Sequence, residues 1–306
     1  MTTSVCIATY RRGERLAALL DDLLHQQVLP DEVVVVDNDA TGSARAVVEQ
    51  RRVLGAPFPI RYDIQPVQNI SLTRNRTVAL ATGDWLAFVD DDERAPIEWL
   101  GRLVDAAERF AADGVLGPVE PVVPIDAPPW IRRGSFYCWA RLATGTPVPP
   151  TQLRFGNVLL RAGLLRGTAP PFDPAYGRTG GEDGDLLTRL AQRGAAIVWC
   201  DEAVVLEPVE TARLSLKWLL LRALRGGQDF ARHRLAGRHG TMSRAGRLLF
   251  LARALVQALL AAGLALLAWP FGRHHAAHWL LKASANVGKL SLFLGWHYRE
   301  YAGKPA

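Results

Sequence analysis

The run Phe88-Val89-Asp90-Asp91-Asp92-Glu93 places three aspartates and a glutamate directly behind the apolar stretch Trp85 to Val89. That stretch has the composition of a buried strand. Negative charges crowded at a strand's end are costly unless something positive sits beside them. A divalent cation that also grips a diphosphate is the simplest partner, because hard cations prefer oxygen ligands. A solvated acidic turn is the plain alternative. A second acidic group, Gly180-Gly181-Glu182-Asp183-Gly184-Asp185, opens a helical pattern. Its glycines allow a tight turn, and a helix N-terminus favours negative charge, so a carboxylate there stays ionised and can act as a base. A cap followed by first-turn acids gives the same spacing. Arg74 lies in another helical pattern. Its fork suits a phosphate, and an ordinary surface charge is the competing reading.

The elements that must hold these groups are legible from periodicity. Val5-Cys6-Ile7-Ala8 reads as a strand, followed by leucines 16, 19, 20, 23 and 24 at helical spacing. The β-branched run Val33 to Val36 ends at Asp37-Asn38-Asp39, and 41–51 looks helical. A third strand is expected at 60–62, a helix over 71–81, a strand at 85–89 and a helix over 97–112. This β-α-β-α-β order implies a parallel sheet with helices on its faces. Ligands gather at the C-terminal ends of such strands, where the polar clusters fall. A Pro-rich stretch, 118–129 and 147–150, is expected to be irregular. A further strand is expected over 154–160, and 196–199 and 204–206 could close the sheet.

Charge divides the 306-residue chain in two. Residues 1–209 carry 21 Lys and Arg against 27 Asp and Glu, whereas 210–306 carry 15 against 3. The division suggests a catalytic domain over 1–210 and a basic, Leu-rich helical appendage over 211–306. Basic surfaces attract nucleic acid or anionic lipid. The long apolar segments beside these arginines favour a membrane and no nucleic acid. Leu248 to Phe271 reaches about 36 Å as a helix, enough to cross a bilayer core or lie in its interface. The segment 276–298 is weaker, being interrupted by Lys282, Asn286 and Lys289. Cys6, Cys138 and Cys200 lie far apart, which fits a reducing compartment and argues against a disulfide framework or a zinc site. The first residues lack a signal-peptide pattern, so the N-terminal part is expected to stay in the cytoplasm.

Taken in order, Val5 to Tyr10, Val34 to Asp39, Ser71 to Arg76, Phe88 to Glu93 and Gly180 to Asp183 resemble the motifs of family 2 glycosyltransferases. Gly156-Asn157-Val158-Leu159 and Arg225-Gly226-Gly227-Gln228 narrow the likeness to bacterial exopolysaccharide glucosyltransferases of the succinoglycan type. The resemblance implies a GT-A-like α/β nucleotide-sugar-binding fold with a mostly parallel sheet. It implies an inverting, metal-dependent hexosyltransferase at the cytoplasmic face of the inner membrane. A UDP-sugar, with glucose favoured, would be the donor and a polyprenyl-diphosphate-linked glycan the acceptor. Thr9, Tyr10 and Arg11 would line the nucleotide pocket, with Asp37, Asn38 and Asp39 at uracil or ribose. This chain has Asp-Asn-Asp where many relatives have Asp-Asp-Gly. Arg74 and Asn75 would face the nucleotide, Asp90 the ribose, and Asp92 would bind Mg2+ or Mn2+. Asp91, in the same nucleotide-sugar segment, would point the other way along an extended chain. Asp183 would be the general base, with Glu182 catalytic or orienting the acceptor; Asp185 is a weaker base candidate. Gln228, Arg232 and His233 could close over the diphosphate. Two rival readings are a nucleotidyltransferase, which lacks a Gly-rich N-terminal phosphate loop with a Lys, and a membrane-tethered sugar-nucleotide-binding scaffold.

Overall fold

The computed structural model describes residues 1–167, 169–177, 179–237, 240–296 and 298. The chain forms two compact units, one of residues 1–120 and 139–207, the other of 121–138 and 208–299. The stretch 121–138, expected with the first module, therefore groups with the second.

The first unit opens with β1 (Thr3–Thr9), α1 (Gly13–Leu24), β2 (Glu32–Asp37), α2 (Arg45–Val53), β3 (Ile60–Ile64), α3 (Ile70–Leu80), β4 (Trp85–Val89) and α4 (Trp99–Arg109). It continues through β5 (Gly114–Leu116), β7 (Asn157–Arg161), α6 (Glu182–Gln192) and β8 (Ile197–Trp199). Two further strands, β6 (Val119–Val122) and β9 (Val205–Pro208), pair with each other. The main sheet has seven strands in the order β3-β2-β1-β4-β7-β5-β8. Its strands run parallel except β7, which is antiparallel to β4 and β5. The expected closing strand at 204–206 thus lies outside this sheet, in the ribbon with β6.

Alternation along each strand sorts the core into two layers, since successive side chains leave opposite faces. Val5, Ile7, Val33, Val35, Ala87 and Val89 pack on one face with Leu16, Leu19, Leu20 and Leu23 of α1 and Trp99, Leu100 and Leu103 of α4. Cys6, Val34, Val36, Leu86 and Phe88 pack on the other with Leu186, Leu187 and Leu190 of α6. Burial on both faces explains why β2 reads as an uninterrupted valine run. Every strand from β1 to β4 is parallel, so the loops after Thr9, Asp37 and Val89 emerge along one edge. β7 runs the other way, with Asn157 opposite Val89, so 154–156 enter it from that same edge.

The second unit contains α5 (Pro129–Gly134), α7 (Leu216–Leu235), α8 (Arg244–Ala268) and α9 (Arg273–Phe293). Among the described residues, one helical stretch, Arg244–Phe271, is long and apolar enough to cross a membrane, with mean hydropathy 2.0. Its buried side chains are Ala254, Ala258, Ala261 and Ala265, a single small-residue seam. Leu248, Leu249, Leu259, Leu260, Leu266 and Leu267 are all exposed. The weaker segment forms α9; of its polar interruptions Asn286 is buried, Lys289 half-buried and Lys282 exposed. Glycine sets how closely α7 and α9 pass. A Cβ on Gly227 would collide with the Ala285 carbonyl, and one on Gly288 with the Leu224 carbonyl. Gly227→Val and Gly288→Val should each force the helices apart and destabilise this unit by about 1–3 kcal/mol. Thermal unfolding in detergent checks this; an unchanged midpoint for both variants would contradict the close crossing.

Candidate functional site

Thr9 closes β1, and Arg11 follows in the left-handed region with φ 53°. A non-glycine residue there is strained and persists only when its surroundings hold it. Arg11 is held by Asp39, whose carboxylate accepts from Arg11 Nε at 2.9 Å. Burial opposes the charge on Asp39, but Arg11 and the donors of Thr41 outweigh it and keep the carboxyl below its usual range. Tyr10 lies under the Arg11 guanidinium, 5.3 Å from the ring centroid.

The neighbouring loop is built by its own acids and amides. Asp37 is fully buried and accepts from the Asp39 N–H at 2.9 Å, the Ala44 N–H at 2.8 Å and the Tyr62 hydroxyl at 3.0 Å. Asn38 donates to the carbonyls of Gln65 and Val67 and accepts from the Asn69 N–H. Both side chains are committed to shaping the loop. Asn75 likewise spends both ends of its amide on the Phe172 backbone, at 2.7 and 2.9 Å. These three do not join the charged cluster at the end of β4, nor does the Arg11–Asp39 pair make a hydrogen bond or ion pair with it among the described residues.

That cluster begins one residue past β4. Asp91 turns inward and accepts from the Thr9 hydroxyl at 2.7 Å and from Arg12 at 2.9 Å. Asp92 lies 3.0 Å from Arg12 and 3.5 Å from Arg15. Asp90 keeps 44% of its side chain open and meets Arg74 at 3.1 Å. Glu93 is buried, and its carboxylate accepts from the Asp90 N–H at 3.0 Å. The positive partners that the acidic run requires are thus arginines. Arg12 and Arg15 were not among the expected site residues. Their signal was present as the basic Arg11-Arg12 and Arg15 around Gly13, one strand away from the aspartates.

Arg74 connects this cluster to the second acidic group. It is buried rather than a helix-surface charge, and it donates to Glu182 at 2.6 Å as well as to Asp90. Phe155 lies against its guanidinium at 4.7 Å, and Phe155 and Phe172 meet edge to face at 5.5 Å. Gly180 and Gly181 both adopt positive φ, 81° and 94°, so the chain turns sharply into α6. Asp183 follows at the helix start, near enough to Asp90 to raise its carboxyl. Asp185 is fully buried and paired with Arg189 at 2.7 Å, which leaves Asp183 as the more accessible acid of the turn.

Proton affinities follow from this crowding. Exclusion of water raises Asp91 to about 6; Arg12 opposes the shift and Asp92 adds to it. Burial raises Glu93 well above the usual range, with the charges of Asp90 and Asp92 contributing. Protein packed around Asp90 raises it too, Arg74 pulling the other way and Asp92 and Asp183 reinforcing the rise. Gly156 approaches Glu93 from the β7 side: its φ is 106°, and a Cβ there would lie 2.8 Å from Glu93 Oε1.

Donor chemistry offers a test for a cation. Asp90 and Asp92 present hard oxygen donors. No group of three or more His, Cys, Asp or Glu side chains able to hold a metal converges among the described residues. Two carboxylates supply only part of a divalent ion's oxygen shell, so an ion held here would need its remaining oxygens from a bound ligand.

The glycosyl transferase family 2 model matches residues 4–155, the span holding the first four motifs. The succinoglycan biosynthesis protein ExoM of Rhizobium meliloti (strain 1021) is 40% identical over 76% of this chain and 75% of its own length. The chain belongs to glycosyltransferase family 2. Solved structures support the GT-A-like fold. The mannosyltransferase PcManGT from Pyrobaculum calidifontis, in complex with GDP-Man and Mn2+, superposes with TM-score 0.64 at 20% identity over 94% of this chain and 86% of that one. S. aureus TarS 1-349 in complex with UDP gives 0.54 at 20% identity over 98% and 93%. The mostly parallel sheet flanked by helices is the architecture expected from the motifs.

In this family 2 site the raised Asp91 has a thermodynamic consequence. Its folded-state pKa near 6 exceeds the unfolded value of about 3.9, so the folded chain holds the proton more tightly. Its contribution is favourable at low pH and is lost as pH rises from about 4 through 6. Asp91→Asn removes that loss. Relative to the wild type, the variant should gain about 1–3 kcal/mol between pH 4 and 7, measured by denaturant unfolding. A stability difference independent of pH would contradict the burial of this charge.

Proposed function

We propose that this family 2 glycosyltransferase moves a sugar from a UDP-sugar to a lipid-linked glycan, with inversion, during exopolysaccharide or cell-surface glycan assembly. One observation carries the reading: Arg74 joins Asp90 at the end of β4 to Glu182 at the start of α6. The acids at the strand edge and those of the helix start therefore belong to one network. Likeness to ExoM supports the polysaccharide assignment, and the UDP held by TarS supports the donor class. Glucose remains the favoured sugar from the succinoglycan-type motifs.

Each group has a distinct task in this reading. Thr9, Tyr10 and Arg11 border the nucleotide, together with the loop that Asp37 and Asn38 hold in shape. Arg12, Arg15 and Arg74 offer positive charge to the diphosphate. Asp92, with Asp90 beside it, would hold Mg2+ or Mn2+ together with the donor's phosphates. When bound, that ion supplies neutralisation of the charge left on UDP. Asp183 takes the proton from the acceptor hydroxyl, and Glu182, fixed by Arg74, orients the acceptor. With a single base and direct displacement, the acceptor oxygen bonds to the anomeric carbon as that carbon's bond to UDP breaks, so an α-linked donor becomes a β-linked product. The exposed apolar face of α8 and the basic charge of the helical unit support a location at the cytoplasmic face of the inner membrane in this reading.

Asp183→Asn should lower transfer by about 10²–10⁴-fold while leaving UDP affinity within a few-fold of wild type. Transfer is measured with a panel of labelled UDP-sugars on membrane lipid extract, and UDP affinity by calorimetry. Unchanged turnover removes Asp183 from the proton transfer. Inactivity of the wild type with every donor would instead favour a binding scaffold. NMR of the labelled product gives the anomeric outcome directly, and an α-linked product would refute inversion.

A further inference from the structure

A cavity of about 340 Å3 opens among α7, α8 and α9, within the helical unit. Phe250, Arg253, Ala254 and Gln257 line it from α8, at the i, i+3, i+4, i+7 spacing of a single helix face. Phe230 and Arg234 of α7 and Lys289 of α9 complete the wall. The rings of Phe230 and Phe250 stack with centroids 6.3 Å apart. Lys289 Nζ lies 5.4 Å from the Phe230 centroid and donates to Asn286 Oδ1 at 2.9 Å.

The charge balance of this cavity is unusual for an apolar helical hairpin. Three cations line it, and Arg253 stands close enough to Lys289 to repel its charge. Among the described residues neither Arg253 nor Lys289 has a carboxylate within ion-pair distance. Like charges gathered beside aromatic rings favour an anionic ligand that carries apolar surface. On the same helix, Leu249, Leu255, Val256, Leu259 and Leu260 are at least half exposed. Hydrocarbon laid along that surface would leave its phosphate at the cations.

We propose that this cavity binds the phosphate or diphosphate headgroup of a lipid, with the lipid chain along the exposed face of α8. The inference rests on the lipid-linked acceptor proposed above and gives it a binding site. Lysine and arginine act here as charge partners and Gln257 as a hydrogen-bond donor to phosphate oxygens. The phenyl rings cover the first carbons of the chain.

The test uses full-length protein in a neutral maltoside detergent, titrated with farnesyl diphosphate, farnesol or inorganic pyrophosphate and read by native mass spectrometry. UDP-sugar binding is measured in the same preparation. Farnesyl diphosphate should bind at least tenfold more tightly than either fragment. The double variant Arg253→Gln/Lys289→Gln should lose at least tenfold, and Arg253→Lys should restore most of the binding when Lys289 is retained. Competition by dihexanoyl phosphatidylglycerol would extend the site to bilayer phospholipids; failure to compete would restrict it to the isoprenoid diphosphate. Either outcome supports a lipid-phosphate site. Pyrophosphate or farnesol binding as tightly as the intact lipid overturns it, as does an unchanged double variant. Lipid binding lost by the double variant with UDP-sugar binding kept isolates the cavity. Failure of the wild type to bind any UDP-sugar, with farnesyl diphosphate still bound, sinks the donor reading and leaves the cavity standing.

Discussion

The site depends on holding four acidic side chains at the end of one buried strand. β4 is buried on both faces, so the chain emerging from it cannot move the aspartates far from the sheet edge. Arginines from two other elements supply the opposing charge. Arg12 and Arg15 come from the loop and first turn after β1, and Arg74 from α3. A buried pair gains only if its remaining donors and acceptors are also met. Here they are shared: Arg12 serves both Asp91 and Asp92, and Arg74 serves both Asp90 and Glu182. The compensation is incomplete, which is why Asp90, Asp91 and Glu93 retain protons more readily than ordinary carboxyls. An acidic edge rimmed by arginines suits a ligand bringing both negative phosphates and a cation.

The same interactions fix the backbone. Arg11 occupies a strained left-handed conformation because Asp39 grips its side chain. Gly156 has no side chain because Glu93 fills the space where one would be. Asp37 and Asn38, polar groups in a loop where ligand contacts were expected, satisfy the backbone instead. Buried amides and carbonyls left alone would be costly, so these side chains are needed where they stand. A site of this kind has inner residues that shape loops and outer residues that meet ligand, and both can be aspartates.

In the helical unit, small residues do the corresponding work. Gly227 and Gly288 let α7 and α9 approach to backbone contact, and an alanine seam lets α8 lie against its neighbour. Gln228, considered for closing over a diphosphate, is buried and bonded to Ser291, the Trp296 carbonyl and the Tyr298 N–H. Polar groups inside an apolar bundle must find partners there, and this one ties α7 to the segment after α9. With the small residues inside, the leucines of α8 are left outside, facing whatever surrounds the protein.

Much of this was legible in the chain itself. Continuous apolar and β-branched runs marked β1, β2 and β4, helical leucine spacing marked α1, and the two glycines before Glu182 marked the entry into α6. These signals are local: each reports which side chains a short segment must bury. Charge asymmetry separated the acidic α/β part from the basic helices for the same reason. Tertiary structure decided what distance along the chain conceals. It turned β7 antiparallel, sent β9 to pair with β6, and brought Arg12 and Arg74 to the aspartates. Side-chain commitments were decided there too, since whether Asn38 or Asn75 is available depends on backbone groups far away in sequence. Residue types determined which chemistry the protein could perform; the folded arrangement determined which of those residues were left available to perform it.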